Sequence, residues 1–161
     1  MTTPPVRADT PRARVMRYEI IYRNTRMGRI VCVANQKGGV GKTTTASNVA
    51  AGLAKSGRRT LLVDLDPQCN ATTGLGGSPA ETHPLVSETA LSETIMSTAV
   101  TNLSLLPGSR SVRDVERLAE QARNGSMVLS NHLSCGLNAW DYCLIDCPPS
   151  LGELTRTALA G

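Results

Sequence analysis

The stretch VANQKGGVGKTTT, residues Val33 to Thr45, follows an apolar run that begins at Ile30 and precedes a pattern with helical spacing. It holds three glycines within four positions, then Lys42 and three consecutive threonines. Glycines let successive backbone amides turn toward a ligand without side-chain clash, and the start of a helix adds partial positive charge. The stretch therefore predicts an anion-binding loop, in which Lys42 adds a full positive charge and Thr43 a hydroxyl suited to Mg²⁺.

The spacing of this loop departs from two common nucleotide-binding patterns. The usual phosphate loop, G-x-x-x-x-G-K-[ST], is not met because Gln36 stands where its first glycine belongs. The dinucleotide pattern G-x-G-x-x-G is incomplete because Thr44 replaces its third glycine. A second lysine, Lys37, stands at the entrance of the loop. On these residues alone, a glycine-rich turn with incidental lysines remains the alternative.

The loop, with its two lysines, resembles the deviant Walker A motif of the ParA/MinD/nitrogenase iron-protein superfamily of P-loop ATPases. The resemblance implies ATP as ligand and Lys37 as the residue that reaches the partner's phosphates across a nucleotide-bound dimer. It implies phosphate binding by the following loop residues: Lys37, Gly38, Gly39, Val40, Gly41, Lys42, Thr43 and Thr44.

Two carboxylates, Asp64 and Asp66, end a second apolar run that covers residues 60–63. In parallel sheets, the loops that leave the carboxyl edge of the strands form the ligand site. Two anions beside a triphosphate are tolerated if a cation lies between them or if one takes part in proton transfer. We therefore expect Asp64 to support Mg²⁺ and Asp66 to orient the attacking water. The alternative is that they are polar residues that end a strand at a turn.

A third motif, Asp146-Cys147-Pro148-Pro149-Ser150, follows the apolar run at residues 142–145. An apolar strand that delivers an aspartate to the phosphate edge is the Walker B arrangement, and D-x-P-P-S resembles the switch II stretch of the same ATPases. The segment D-x-D-P-Q-x-N-A-T resembles the ParA/Soj branch, the chromosome and plasmid partition ATPases. The resemblance implies catalytic roles for Lys37, Lys42 and Asp66, and a Mg²⁺ site formed by Thr43, Asp64 and Asp146.

The alternating strand and helix patterns predict an α/β fold, a mostly parallel P-loop NTPase-type sheet flanked by helices. We expect strands at residues 30–34, 60–63, 103–106 and 142–145, and a helix from Thr43 that buries Ala46, Val49, Ala50, Leu53 and Ala54. Further helices are predicted near residues 91–96, 111–125, 129–137 and 151–160. Residues 1–28 are predicted to be a disordered basic leader, and residues 29–161 the N-terminal portion of a P-loop ATPase domain. A transit peptide and a DNA- or lipid-binding arm remain alternatives for the leader.

The composition limits which residue types can form the core and which cell compartment we expect for the protein. The chain has 161 residues, a formal net charge of +4, 2% aromatic residues and no phenylalanine, so its core must be built from Ala, Leu, Val and Ile. The five cysteines form no C-x-x-C pair and are predicted to be reduced, buried thiols, with a metal site or disulfide as the weaker alternative. His83, in a Gly/Pro-rich segment, is predicted to be solvated. No apolar run has the roughly 18 residues of a membrane span, and we expect a cytoplasmic, nucleoid-associated protein.

The resemblance implies an ATPase that acts in chromosome or plasmid segregation. Its expected partners are a ParB-like protein, non-specific DNA and a second copy joined through ATP, with no membrane expected. One alternative is a MinD-like membrane ATPase, although D-P-Q argues against it; an iron–sulfur reductase is a weaker one. Another is a truncated, non-hydrolysing nucleotide-binding fragment, because proteins similar to this one continue beyond Gly161 with their adenine- and DNA-binding residues.

Overall fold

The computed structural model describes residues 28–83, 91–112 and 139–149. Three α-helices and five β-strands lie within these ranges. In chain order they are β1 (Arg29–Val33), α1 (Lys42–Lys55), β2 (Thr60–Asp64), α2 (Asn70–Gly74), α3 (Leu91–Thr94), β3 (Met96–Ser97), β4 (Leu103–Leu106) and β5 (Tyr142–Asp146). The predicted leader up to residue 27 and the predicted helices beyond residues 112 and 149 lie outside the described residues, as does Cys135.

The five strands form one sheet in the order β1-β5-β2-β4-β3. Strands β1, β5, β2 and β4 are all parallel, and only β3 runs antiparallel, beside β4. The predicted mostly parallel α/β fold is therefore confirmed, together with its four predicted strands. Strand β5, the last described strand in the chain, is inserted between β1 and β2 and is therefore paired on both sides.

The described strands have apolar side chains on both faces, which is why their sequences are continuous apolar runs. One face carries Cys32, Val63 and Ile145, and the opposite face carries Val33, Leu62 and Leu144. All six are buried. Cys69, Cys143 and Cys147 are buried as well, which confirms the prediction of buried thiols for the four described cysteines.

Helix α1 covers the second face with a row of alanines. Ala46, Ala50 and Ala54 recur every four residues and are at most 1% exposed. Their small side chains let the helix lie close to the large aliphatic residues of this face, such as Leu62 and Leu144. The helix ends in a Schellman arrangement, in which Gly57 has φ 86° and its amide donates to the Ala54 carbonyl at 2.9 Å. The predicted burial of Val49 was wrong, because this side chain is 45% exposed beside the alanine row.

Two further predictions differ from the structure. The helix predicted near residues 91–96 ends at Thr94, because Met96 pairs with Leu105 as strand β3. His83 is not solvated but fully buried, and its amide donates to the Ser111 hydroxyl at 2.8 Å. Both errors arise from contacts between segments distant in sequence, which local composition does not encode. Among the described helices, none combines the length and the apolar character needed to cross a membrane.

Candidate functional site

The parallel register brings three chain segments to one edge of the sheet. Asp146 at the end of β5 pairs with Val33 on one side and with Asp64 on the other. The glycine-rich loop leaves β1 beside Asp146, and the turn that carries Asp66 leaves β2 beside Asp64. The carboxyl ends of parallel strands are where α/β sheets form their ligand sites, so the sheet topology places the three sequence motifs at a single site.

The glycine-rich loop has the backbone geometry of an anion cradle. Gly39 and Gly41 have φ values of 68° and 88°, a left-handed conformation that side chains disfavour. A Cβ atom added at Gly38, Gly39 or Gly41 would meet no atom within 4 Å, so the space beside them is open. The Lys37 amide is held by the Asn35 side chain at 2.9 Å, which fixes the entrance of the loop.

The start of helix α1 leaves its amides available to a ligand. Its N-cap residue, Gly41, provides no side-chain hydrogen bond, and the first turn holds no acidic residue. Among the described residues, no partner accepts a hydrogen bond from the amides of residues 38–41. An open loop of free amides at the N-terminus of a 14-residue helix fits a phosphate group.

The two lysines of the loop lie in different environments. Lys42 is only 7% exposed, and its Nζ donates to the Lys37 carbonyl at 3.5 Å. Lys37 is exposed to solvent. A buried ammonium suits a ligand held inside the loop, whereas an exposed one at the rim is available to a second molecule.

Asp146 is the least satisfied polar group at this edge. It is fully buried, and neither carboxylate oxygen forms a hydrogen bond of good geometry with the described part of the chain. Burial, together with the charges of Asp64 and Asp66, raises the pKa of Asp146 to about 7, although the nearby Thr43 hydroxyl and Lys42 ammonium oppose the shift. A buried carboxylate without partners beside a threonine hydroxyl fits a bound divalent cation, because oxygen ligands are what Mg²⁺ prefers.

Asp64 is buried like Asp146 but fully engaged. Its Oδ2 accepts hydrogen bonds from the amide and the hydroxyl of Thr72, at 2.8 and 2.7 Å, and its Oδ1 accepts one from the Asp66 amide at 3.1 Å. Burial raises the pKa of Asp64, and the Thr72 hydrogen bonds oppose the shift. Since these three donors occupy most of its acceptor capacity, Asp64 is better placed to organise the site than to bind a cation directly.

Asp66 lies in the turn that follows β2, two residues beyond Asp64. It is 7% exposed, and its Oδ1 accepts a hydrogen bond from the Gln68 amide at 2.8 Å, which leaves Oδ2 without a described partner. Its carbonyl accepts a hydrogen bond from the Cys69 amide, so the turn is closed on itself. A carboxylate oxygen without a described protein partner, on a turn held by hydrogen bonds, can accept a hydrogen bond from a water molecule.

The structure brings together Lys42, Thr43, Asp64, Asp66 and Asp146, whose charges and hydroxyl act on one another. Sequence reasoning assigned no role to Asn35, Thr72 or Gly108, which fix the loop entrance and Asp64. For Thr72 the signal was present, since the threonine belongs to the stretch that continues the D-x-D-P-Q-x-N motif. For Gly108 no local pattern shows that it approaches Asp64.

A parallel sheet, a glycine-rich loop that opens a helix and a buried aspartate at the end of the adjacent strand together define the P-loop class of nucleotide-binding folds. Comparison of the sequence with protein families narrows this class. The model of a family described as an AAA domain matches residues 28–161, and the chain belongs to this family.

Curated relatives include a sporulation initiation inhibitor and a chromosome partitioning protein. The chain is 43% identical over 138 residues to the sporulation initiation inhibitor protein Soj of Bacillus subtilis. The matched region covers 83% of this chain and 54% of that protein. It is 44% identical over 141 residues to the chromosome partitioning protein ParA of Myxococcus xanthus, over 83% of this chain and 49% of that protein. The chain thus spans about half the length of the curated relatives it matches.

Solved structures with the same fold include nucleotide complexes. The cobyrinic acid a,c-diamide synthase of Mycobacterium smegmatis, solved with ADP and magnesium, is 38% identical with a TM-score of 0.77, over 83% of this chain and 56% of that one. A plasmid partition protein of Borrelia burgdorferi is 26% identical with a TM-score of 0.72, over 81% of this chain and 61% of that one.

Proposed function

We propose that this chain carries the Mg²⁺-dependent ATP-hydrolysis site of a ParA/Soj-type partition ATPase. The observation that carries the proposal is the juxtaposition of the open glycine-rich loop with a fully buried Asp146 whose oxygens lack hydrogen-bond partners in the described chain. The relatives named above, and the ADP and magnesium in a structure of the same fold, agree with it.

In this proposal, hydrolysis depends on positioning and charge neutralisation. The amides of Gly38 to Thr43 hold the β-phosphate, and Lys42 bridges the β- and γ-phosphates. Thr43 and Asp146, supported by Asp64, would hold the metal ion. Bound Mg²⁺ would neutralise negative charge on the phosphate oxygens.

Asp66 orients and polarises the attacking water in this scheme. Its support is that Oδ2 has no described hydrogen-bond partner, on a turn that is anchored through Asp64 and Gln68. Lys37 completes the site from a second copy of the chain, in the manner of an arginine finger, an effect worth about 10³–10⁵ in rate when well placed. The exposure of Lys37 supports this assignment.

The wider role that we propose follows the relatives. ATP joins two copies of the chain, and the dimer binds nucleoid DNA in the cytoplasm without sequence preference. A ParB-like partner then stimulates hydrolysis and the release of the dimer from DNA. The formal net charge of +4 agrees with a polyanionic partner.

The experiment separates nucleotide binding from turnover in the 161-residue chain. We expect Asp66→Ala to bind a fluorescent ATP analogue with Mg²⁺ within about threefold of the wild-type affinity, and to lose at least about 100-fold in steady-state ATPase rate, the loss typical of a positioned acid–base group. The control is Asp141→Asn, at the opposite end of β5, where the aspartate pairs with Arg59 at 3.2 Å. Wild-type turnover by Asp66→Ala would remove Asp66 from the water-orienting role, and a wild-type chain that binds no ATP would contradict the proposed function.

A further inference from the structure

Thr72 occupies the junction of three segments at the carboxyl edge of the sheet. Its side chain is fully buried in helix α2. The hydroxyl donates to Asp64 Oδ2 at 2.7 Å and accepts a hydrogen bond from the Gly108 amide at 2.8 Å. One hydroxyl therefore uses both its donor and its acceptor capacity to join the end of β2 to the loop that follows β4.

The Thr72 hydroxyl fixes the orientation of the Asp64 carboxylate. A buried carboxylate only accepts hydrogen bonds, and it would rotate to find other donors if Thr72 were removed. With Oδ2 held by the Thr72 amide and hydroxyl, Oδ1 is directed to the Asp66 amide at 3.1 Å. The amide so held belongs to the residue that we assign to the water, so Thr72 acts on Asp66 through Asp64.

Gly108 packs directly against the Asp64 carboxylate. A Cβ atom at this position would lie 2.9 Å from Asp64 Cγ and 3.0 Å from Asp64 Oδ2. Contacts this short force a neighbour to move, and Asp64 is held by three hydrogen bonds. Gly108 thus leaves just enough room for Asp64 in the orientation that Thr72 imposes.

We propose that Thr72 is a positioning residue for ATP hydrolysis, which sets the Asp66 turn by orienting Asp64 against the loop at Gly108. The proposal rests on the proposed function above. It assigns Thr72 no contact with nucleotide or metal, so its effect falls on turnover and not on nucleotide affinity.

The test compares Thr72→Val, which keeps the shape and the backbone amide but lacks the hydroxyl, with Thr72→Ser, which restores the hydroxyl. Thr73→Val is the matched control, because the Thr73 hydroxyl contacts only backbone carbonyls of Cys69 and Asn70 in the described chain. We expect Thr72→Val to lower kcat at least about tenfold while the affinity for ATP stays within about threefold, and Thr72→Ser and Thr73→Val to stay near wild type. A tenfold loss corresponds to about 1.4 kcal/mol of transition-state stabilisation. Wild-type kcat in Thr72→Val would overturn the proposal.

A second measurement does not depend on hydrolysis. Amide hydrogen exchange of Asp66 and Gly108 in the folded chain should be at least about tenfold faster in Thr72→Val than in wild type, and unchanged in Thr72→Ser and Thr73→Val. Unchanged exchange in Thr72→Val would overturn the proposal, whether or not the wild-type chain hydrolyses ATP. Absence of ATPase activity in wild type would contradict only the proposed function.

Gly108→Ala provides an independent variant. It keeps every hydrogen-bonding group, displaces Asp64, and should lower kcat as Thr72→Val does. Wild-type kcat in Gly108→Ala would contradict the geometry on which the proposal depends.

Discussion

Asp64 and Asp146 are directly opposite each other in the paired parallel strands β2 and β5, and both are completely buried. The Thr72 hydrogen bonds satisfy Asp64, whereas the oxygens of Asp146 have no hydrogen-bond partner among the described residues. Because the two neighbouring carboxylates differ so strongly in their surroundings, we propose different roles for them: Asp64 would organise the turn that follows β2, and Asp146 would hold the cation.

Without metal, Asp146 should make stability depend on pH. Burial raises the pKa of Asp146 to about 7 from its ordinary value of 3.8. Between about pH 4 and pH 7 the folded chain therefore holds a proton that the unfolded chain has released, so stability falls as pH rises through this window. The slope is at most about 1.4 kcal/mol per pH unit.

Thermal unfolding in the presence of EDTA measures this effect. We expect the Tm of Asp146→Asn to fall less between about pH 4 and pH 7 than the Tm of wild type, because the asparagine does not titrate. The same pH dependence in both proteins would show that Asp146 is ionised throughout this range, as it would be if it were well solvated.

Replacement of Lys37 should lower the ATPase rate without lowering the affinity for ATP. We expect Lys37→Ala to bind ATP like wild type as a monomer and to lose at least about 100-fold in ATPase rate, because the lysine acts on the partner's phosphates. Light scattering with ATP reports dimerisation, and Lys55→Ala, in the last turn of α1, is the charge-matched control. Turnover by Lys37→Ala equal to wild type would exclude a role across the dimer.

Gly28 should be essential for the pairing of β1 with β5. A Cβ atom there would clash with the Trp140 carbonyl oxygen and would lie 2.8 Å from the carbonyl carbon of Asp141, both of which are backbone atoms. We expect Gly28→Ala to lower the free energy of unfolding by about 1–3 kcal/mol, the usual cost of overpacking. Urea denaturation measures the change.

Gly52 provides the contrasting substitution. It lies within α1, and a Cβ atom there meets nothing within 4 Å. Gly52→Ala should raise the free energy of unfolding by about 0.5–1 kcal/mol, because alanine loses less backbone entropy in a helix. Equal stability of the two variants would contradict the close approach of the chain at Gly28.

The sequence alone was sufficient for the features that depend on neighbours along the chain. Continuous apolar runs identify β1, β2, β4 and β5 because a parallel strand is buried on both faces. The alanine row of α1 follows from helical spacing, and the end of the helix before Gly57 follows from the left-handed conformation that glycine favours. The common location of Asp64, Asp66 and Asp146 was predictable because each follows such a run, and Lys42 lies in the loop after β1, which leaves the same edge of the sheet.

Other features were not predictable because they depend on contacts between distant segments. Met96 belongs to β3 only because β4 lies beside it, and His83 is buried because Ser111, 28 residues further along the chain, packs against it. Thr72 was visible within a motif, but its link to Gly108 joins residues 36 apart. The arrangement of Thr72 and Gly108 around Asp64 therefore could not be predicted without the three-dimensional structure.

The most direct test of the central claim is equilibrium binding of a fluorescent ATP analogue with Mg²⁺ to wild type, Lys42→Ala and Lys55→Ala. Lys42 is buried against the loop, whereas Lys55 is exposed at the other end of α1. If the loop from Lys37 to Thr43 binds the phosphates of ATP, Lys42→Ala loses at least about 100-fold in affinity, as removal of a close charged contact to phosphate implies, while Lys55→Ala binds like wild type. Wild-type affinity in Lys42→Ala would contradict the assignment of this loop as the phosphate site.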